Sequence, residues 1–118
     1  MKDVNYLKNN GINVEQGLEI LGDMEMYNDT LNDFLTESEE RLPKIKNYKE
    51  DGDMHNYSIL VHAMKSDAKY LGFKQLADLS YAHEMASKES NVDYVNNNFD
   101  NLLAEAERII RVVKEYLG

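Results

Sequence analysis

His62 has a setting in which a side chain could hold and release a charged group. Ser58, Lys65, Ser66 and Lys69 lie at its i−4, i+3, i+4 and i+7 positions, which share one face of a helix. The lysines can neutralise an anion on the imidazole. Ser66, one turn on, is small enough to let another molecule approach the ring. The plainer reading is a histidine on a solvated helix face, and the face alone does not decide between the two.

Other spacings that could do chemistry fail. His55 and His62 lie two turns apart, about 10 Å by helix rise, too far to bind one metal together. His83-Glu84 opens like a zinc-protease His-Glu-x-x-His, but position 87 is Ser. A di-iron bundle needs Glu three residues before His, and Gly52, Ile59 and Ser80 occupy those positions. No metal site is therefore expected. No phosphate-cradling glycine loop or kinase-like nucleotide site is present either.

The helix that positions His62 is expected from about Asp53 to Leu71, with Gly72 as its C-terminal cap. On a wheel, Leu60, Met64, Ala68 and Leu71 cluster on one side, flanked by Tyr57 and Val61, and His62 falls opposite. Before it, residues 1–12 read as an arm. Asn13 caps a short helix over Val14 to Leu21, which Gly22 ends. Asp23 caps a long helix carrying Met24, Tyr27, Leu31, Phe34, Leu35, Leu42 and Ile45, with Ser38 in the series. Pro43 should kink that helix or divide it near Arg41–Leu42. A fourth helix begins near Phe73 and turns Leu76, Leu79 and Ala86 inward. After Ser90-Asn91 a last helix bears Val92, Val95, Phe99, Leu102, Ala106, Ile109, Val113 and Leu117. The expected fold is all-α: an up-down-up-down four-helix bundle with a short additional N-terminal helix, as one domain over 1–118.

Bulk properties narrow the function classes. The net charge is −9, from 22 acidic and 13 basic residues, which disfavours nucleic acid and anionic membrane surfaces. Hydrophobic residues make up 42%, enough for a packed core. There is no Cys, which excludes disulfides and fits a reducing compartment. No apolar run approaches the roughly 20 residues that span a bilayer, and the first residues lack a signal-peptide core. A cytoplasmic monomer is expected.

The stretch His62-Ala63-Met64-Lys65-Ser66-Asp67-Ala68-Lys69-Tyr70-Leu71-Gly72 resembles the signature of the histidine-containing phosphotransfer (HPt) family. His62, Met64, Lys65, Ala68, Leu71 and Gly72 match it, and Ser66 replaces a usual glycine. Asp67 departs toward acid, and a Tyr, Asn or Lys on a neighbouring helix is its expected partner. The resemblance extends to Gly11–Leu18, to Leu31–Leu35, and to Leu76-Ala77-Asp78-Leu79 followed by His83-Glu84. There His83 stands where the family often has Leu.

The resemblance implies that His62 is the phospho-acceptor, relaying a phosphoryl group between receiver-domain aspartates or from a sensor histidine kinase to a receiver. Neutral imidazole, with a pKa near 6.5, is plentiful at neutral pH and can form a covalent intermediate. The module would be a phosphocarrier and not an ATP-using enzyme, with Mg²⁺ supplied by the receiver. Lys65 is expected to help neutralise charge. Glu84, 22 residues after His62, is where the family often places a Glu or Gln beside the histidine. It would accept Nδ1–H and leave Nε2 free, unless it is an ordinary surface carboxylate. Ser58, Ser66, Lys69 and Gly72 would frame phosphate and partner access, although Lys69 also fits a solvated face. Ala63, Tyr70 and parts of the first helix would flank docking. The alternative is a docking module of the same fold that binds a receiver or kinase without transfer. An unrelated helical enzyme has no supporting constellation.

Overall fold

The computed structural model describes residues 1–118. It contains α1 (Asn5–Asn9), α2 (Val14–Leu21), α3 (Met24–Asp51), α4 (Met54–Leu71), α5 (Lys74–Lys88) and α6 (Val92–Leu117). Helices α3 to α6 form the four-helix bundle, with α6 closing back on α3. The connections between them are short, so neighbours run antiparallel. The expected all-α bundle is the observed one.

Short polar side chains start the helices by satisfying backbone N–H groups that have no helical partner. Asn13 accepts from Gln16 N–H, Asp23 from Met26, Asp53 from Asn56 and Asn91 from Tyr94, at 2.9–3.1 Å. The core runs from Leu7 to Tyr116 and draws on every helix. Phe34 of α3 meets Phe73, at the α4–α5 corner, edge to face at 5.2 Å. Buried Tyr27 donates its hydroxyl to the Leu71 carbonyl at 2.7 Å, tying α3 to the end of α4.

Two expectations are corrected. Residues 1–12, expected as a short arm, are partly helical and packed. They contain α1 and bury Leu7 and Ile12. Lys2 N–H donates to the Tyr116 carbonyl at 2.8 Å, and Arg108 donates to the Asn10 carbonyl at 3.0 Å. Five helical residues are too few to show a periodic stripe, and the contact that holds them comes from distant α6.

Pro43 does not divide α3, which runs unbroken through it. Its missing N–H leaves the Glu39 carbonyl without a helical donor, and both residues lie at exposed positions where water can serve. Leu42 and Ile45, on either side of it, both pack on the core.

Gly72 caps α4 with φ at +83°, a left-handed conformation that suits glycine. Its carbonyl accepts from Asn13 N–H at 2.9 Å. A Cβ there would overlap the Asn13 backbone. The turn that joins α4 to α5 is therefore also the seat of α2.

Candidate functional site

The antiparallel pair α4 and α5 brings His62 and Glu84 together. His62 projects from the side of α4 opposite its apolar stripe, and its side chain is 55% exposed. Glu84 projects from α5 toward α4 and is 3% exposed. His62 Nδ1 lies 2.7 Å from Glu84 Oε2. Lys65 Nζ lies 2.6 Å from Oε1, and Lys88 Nζ lies 2.8 Å from Oε2.

A buried carboxylate needs this much company. Burial pushes the Glu84 carboxyl up, but hydrogen bonds from Lys65, Lys88 and His62 outweigh it and hold it at about 2. Glu84 is thus an anion at neutral pH and can only accept. The His62 proton shared with it must sit on Nδ1, which fixes the tautomer and leaves the Nε2 lone pair free of any protein group.

His83, the next residue back on α5, fixes the rotation of the helix. It is 1% exposed. Its Nδ1 lies 2.8 Å from the Tyr57 hydroxyl on α4, and its Nε2 lies 3.1 Å from the Asn98 carbonyl on α6. A carbonyl can only accept, so Nε2 carries the proton and Nδ1 accepts from Tyr57. Burial pushes the ring's pKa down, although the bond to Asn98 opposes it, and the ring stays neutral. Pinned on both sides, α5 keeps Glu84 aimed at His62. Ser87 adds a hydroxyl bond to the Glu84 carbonyl at 2.9 Å.

The remaining residues singled out from sequence divide. Ser58 lines a recess of about 240 Å³ with Ile59, His62, Glu84 and Lys88. It is buried, however, and its hydroxyl donates back to the His55 carbonyl at 2.7 Å. Ser66 is half-buried one turn from His62, on the approach to the ring. Lys69 is exposed two turns away, beside Gln16 and Gly72, and does not join the His62 cluster. Gly72 is buried beneath Asn13, so its role is the turn and not access. Tyr70 is half exposed and Ala63 half-buried.

Asp67 pairs with neither Tyr, Asn nor Lys. Its partner is Arg41 of α3, at 2.9 Å, and the same guanidinium reaches Glu37 at 3.1 Å. The planar fork of Arg suits two carboxylates at once. An expected break at Arg41–Leu42 hid this pairing, because it left the facing of Arg41 undefined.

Two members of the site carry no role in the sequence reading. Lys88 was legible in principle, since Glu84 and Lys88 have the i, i+4 spacing of a helical ion pair. His83 was not, because its partners come from two other helices.

The titration of Glu84 makes a test. A free Glu titrates near 4.3, and in the fold Glu84 is held at about 2. A lowered carboxyl stabilises the protein above the unfolded pKa, and that contribution is lost as pH falls through the folded one. Wild type should exceed Glu84→Gln in stability by on the order of 2 kcal/mol near pH 6, narrowing below about pH 4. Urea denaturation across that range measures it. A gap that does not change with pH would show that the ionised network adds nothing.

Together the fold and the site define an all-helical bundle built around one solvent-facing histidine backed by a buried, charge-balanced carboxylate. Residues 29–111 match the Hpt domain family, more than half of the chain, and the chain belongs to that family. No curated protein and no solved structure gives a match. Hpt domains are phosphocarriers of two-component signalling that interact with receiver and kinase domains, and they have no ATP site of their own. No helix here is long and apolar enough to cross a membrane.

Proposed function

We propose that this chain, acting as one domain over residues 1–118, carries a phosphoryl group on His62 Nε2 in a phosphorelay. It accepts the group from a receiver aspartyl phosphate or a sensor histidine kinase and passes it to a receiver aspartate. The observation that supports this most is the His62 Nδ1–Glu84 bond, which sets the nucleophilic tautomer on an exposed ring. The Nε2 lone pair attacks phosphorus, and the donor, a receiver carboxylate or the kinase's imidazole, leaves with the electrons of the broken P–O or P–N bond. The Nδ1 proton stays where it is. The ring gains positive charge as the N–P bond forms, and the Glu84 carboxylate stabilises that charge. In the onward transfer a receiver carboxylate attacks phosphorus, and the ring leaves as the neutral Nδ1–H tautomer.

The site brings a fixed ring, its orienting carboxylate and two lysines. In-line positioning and charge neutralisation are most of what phosphoryl transfer requires. The receiver contributes the aspartate and Mg²⁺. The recess beside His62 is smaller than an ordinary ligand pocket of roughly 300 Å³ or more, which suits a phosphoryl group better than a nucleotide. Exposed Ile59, Tyr81 and Met85 give the partner apolar surface on α4 and α5, the helices that carry His62 and Glu84, with Ile59 in the recess beside the ring. The working form is a monomer in the cytoplasm, where such partners act.

The test is transfer from a phosphorylated receiver domain with Mg²⁺, with the phosphate mapped by mass spectrometry. Phosphate on His62 is expected. A folded protein that binds receivers and takes no phosphate would instead be a docking module. Access has its own check: Ser66→Trp on the polar face of α4 should cut transfer at least tenfold while changing stability by less than about 1 kcal/mol, since it touches no cap, buried pair or core side chain. A normal rate in that variant would place docking on another face.

A further inference from the structure

We propose that Lys88, rather than Lys65, is the cation that binds the phosphoryl oxygens on His62, an assignment that rests on the carrier reading above. Both lysines reach Glu84, but they are not equivalent. Lys65 is 13% exposed, its ammonium on Glu84 Oε1. It also lies 5.4 Å from the centre of the Tyr81 ring. It is enclosed between a carboxylate and an aromatic face, and Oε1 is the oxygen that His62 does not use.

Lys88 is 56% exposed and sits on Oε2, the oxygen that also accepts the His62 N–H. It lines the recess beside the ring with Ser58, Ile59, His62 and Glu84, and Lys65 does not. His62 itself lines that recess, so a phosphoryl group on its ring brings negative charge to it. Lys88 can answer it, because an ammonium on a flexible stem has three donors and one can remain on Glu84. Moving Lys65 would strip a buried carboxylate oxygen of its counter-charge, which is strongly unfavourable. Moving Lys88 leaves Glu84 with Lys65 and the ring. Lys65 is thus a positioning residue that holds Glu84 ionised.

Phosphoramidate tests this without a partner, giving its phosphoryl group to Nε2 and releasing ammonia. The ³¹P resonance of the phosphohistidine is then followed against pH. A cation in contact favours the doubly ionised phosphoryl group, so losing it moves the titration up. Lys88→Gln should raise the midpoint by about half a unit or more, and Lys88→Arg should restore it. Lys88→Gln should also raise it in a Glu84→Gln background, where any route through the carboxylate is gone. A midpoint that Lys88→Gln leaves in place, or moves only when Glu84 is present, overturns the assignment while the carrier reading stands. A wild type that takes no phosphoryl group on His62 overturns both.

Discussion

His62→Gln is expected to abolish phosphoryl acceptance and leave the bundle standing. No other group can take over. His83 is buried with both ring nitrogens bonded, one to Tyr57 and one to Asn98. His55 is exposed on the turn before Ser58, but no carboxylate bonds its ring to set a tautomer. Removing a nucleophile from a group that acts as a unit costs about 10³-fold or more. Folding should barely respond, because the ring is more than half exposed and Glu84 keeps both lysines. A change within about 1 kcal/mol is expected, the size of one hydrogen bond. Transfer from a phosphorylated receiver and a urea titration of the same sample check both halves. Retained phosphate, mapped to His55, would show that position along α4 matters more than the Glu84 bond.

Gly72→Ala should have the largest effect on stability. A non-glycine residue in the left-handed region costs about 1–2 kcal/mol. Here the added Cβ also runs into backbone, the Asn13 carbonyl, which cannot swing aside as a side chain would. Relief would break the Asn13 N–H bond to the Gly72 carbonyl and displace the residue that caps α2. The expected total is about 3 kcal/mol or more, read as a lower urea midpoint. His62 lies ten residues back along α4, about 15 Å by helix rise. The His62–Glu84 pair should therefore survive in the molecules that remain folded. A loss below about 1 kcal/mol would mean that the turn relaxes without strain.

The long helices were legible because three- and four-residue spacing of apolar side chains records which face is buried. The starts were legible in Asn13, Asp23, Asp53 and Asn91, and the stops in Gly22, Gly52 and Gly72, since each does a local job. The division that local rules allowed at Pro43 does not occur, because its missing hydrogen bond is tolerated where the helix faces water. The same rules missed α1, which depends on α6. His62 could be found from its exposed face and its signature. Its pairing with Glu84 is a contact between helices, and the sequence offered it only through family resemblance. The Arg41–Asp67 pair and the double bonding of His83 depend on how four helices rotate against one another, which no single periodicity encodes.

The His62–Glu84 pair has one further property. His62 and Glu84 are 22 residues apart and belong to helices joined by a two-residue turn. Closing so short a loop takes little chain entropy, and contacts of small sequence separation form early in folding. On the carrier reading, both members of the reacting pair therefore belong to one helical hairpin, while α3 and α6 supply the walls against which it packs and α6 also anchors α5 through Asn98. Substitutions on the outer faces of those walls can accumulate without touching the ring, its carboxylate or the turn between them. On the carrier reading, the bundle can thus diversify its surface for different partners around a centre that is assembled locally.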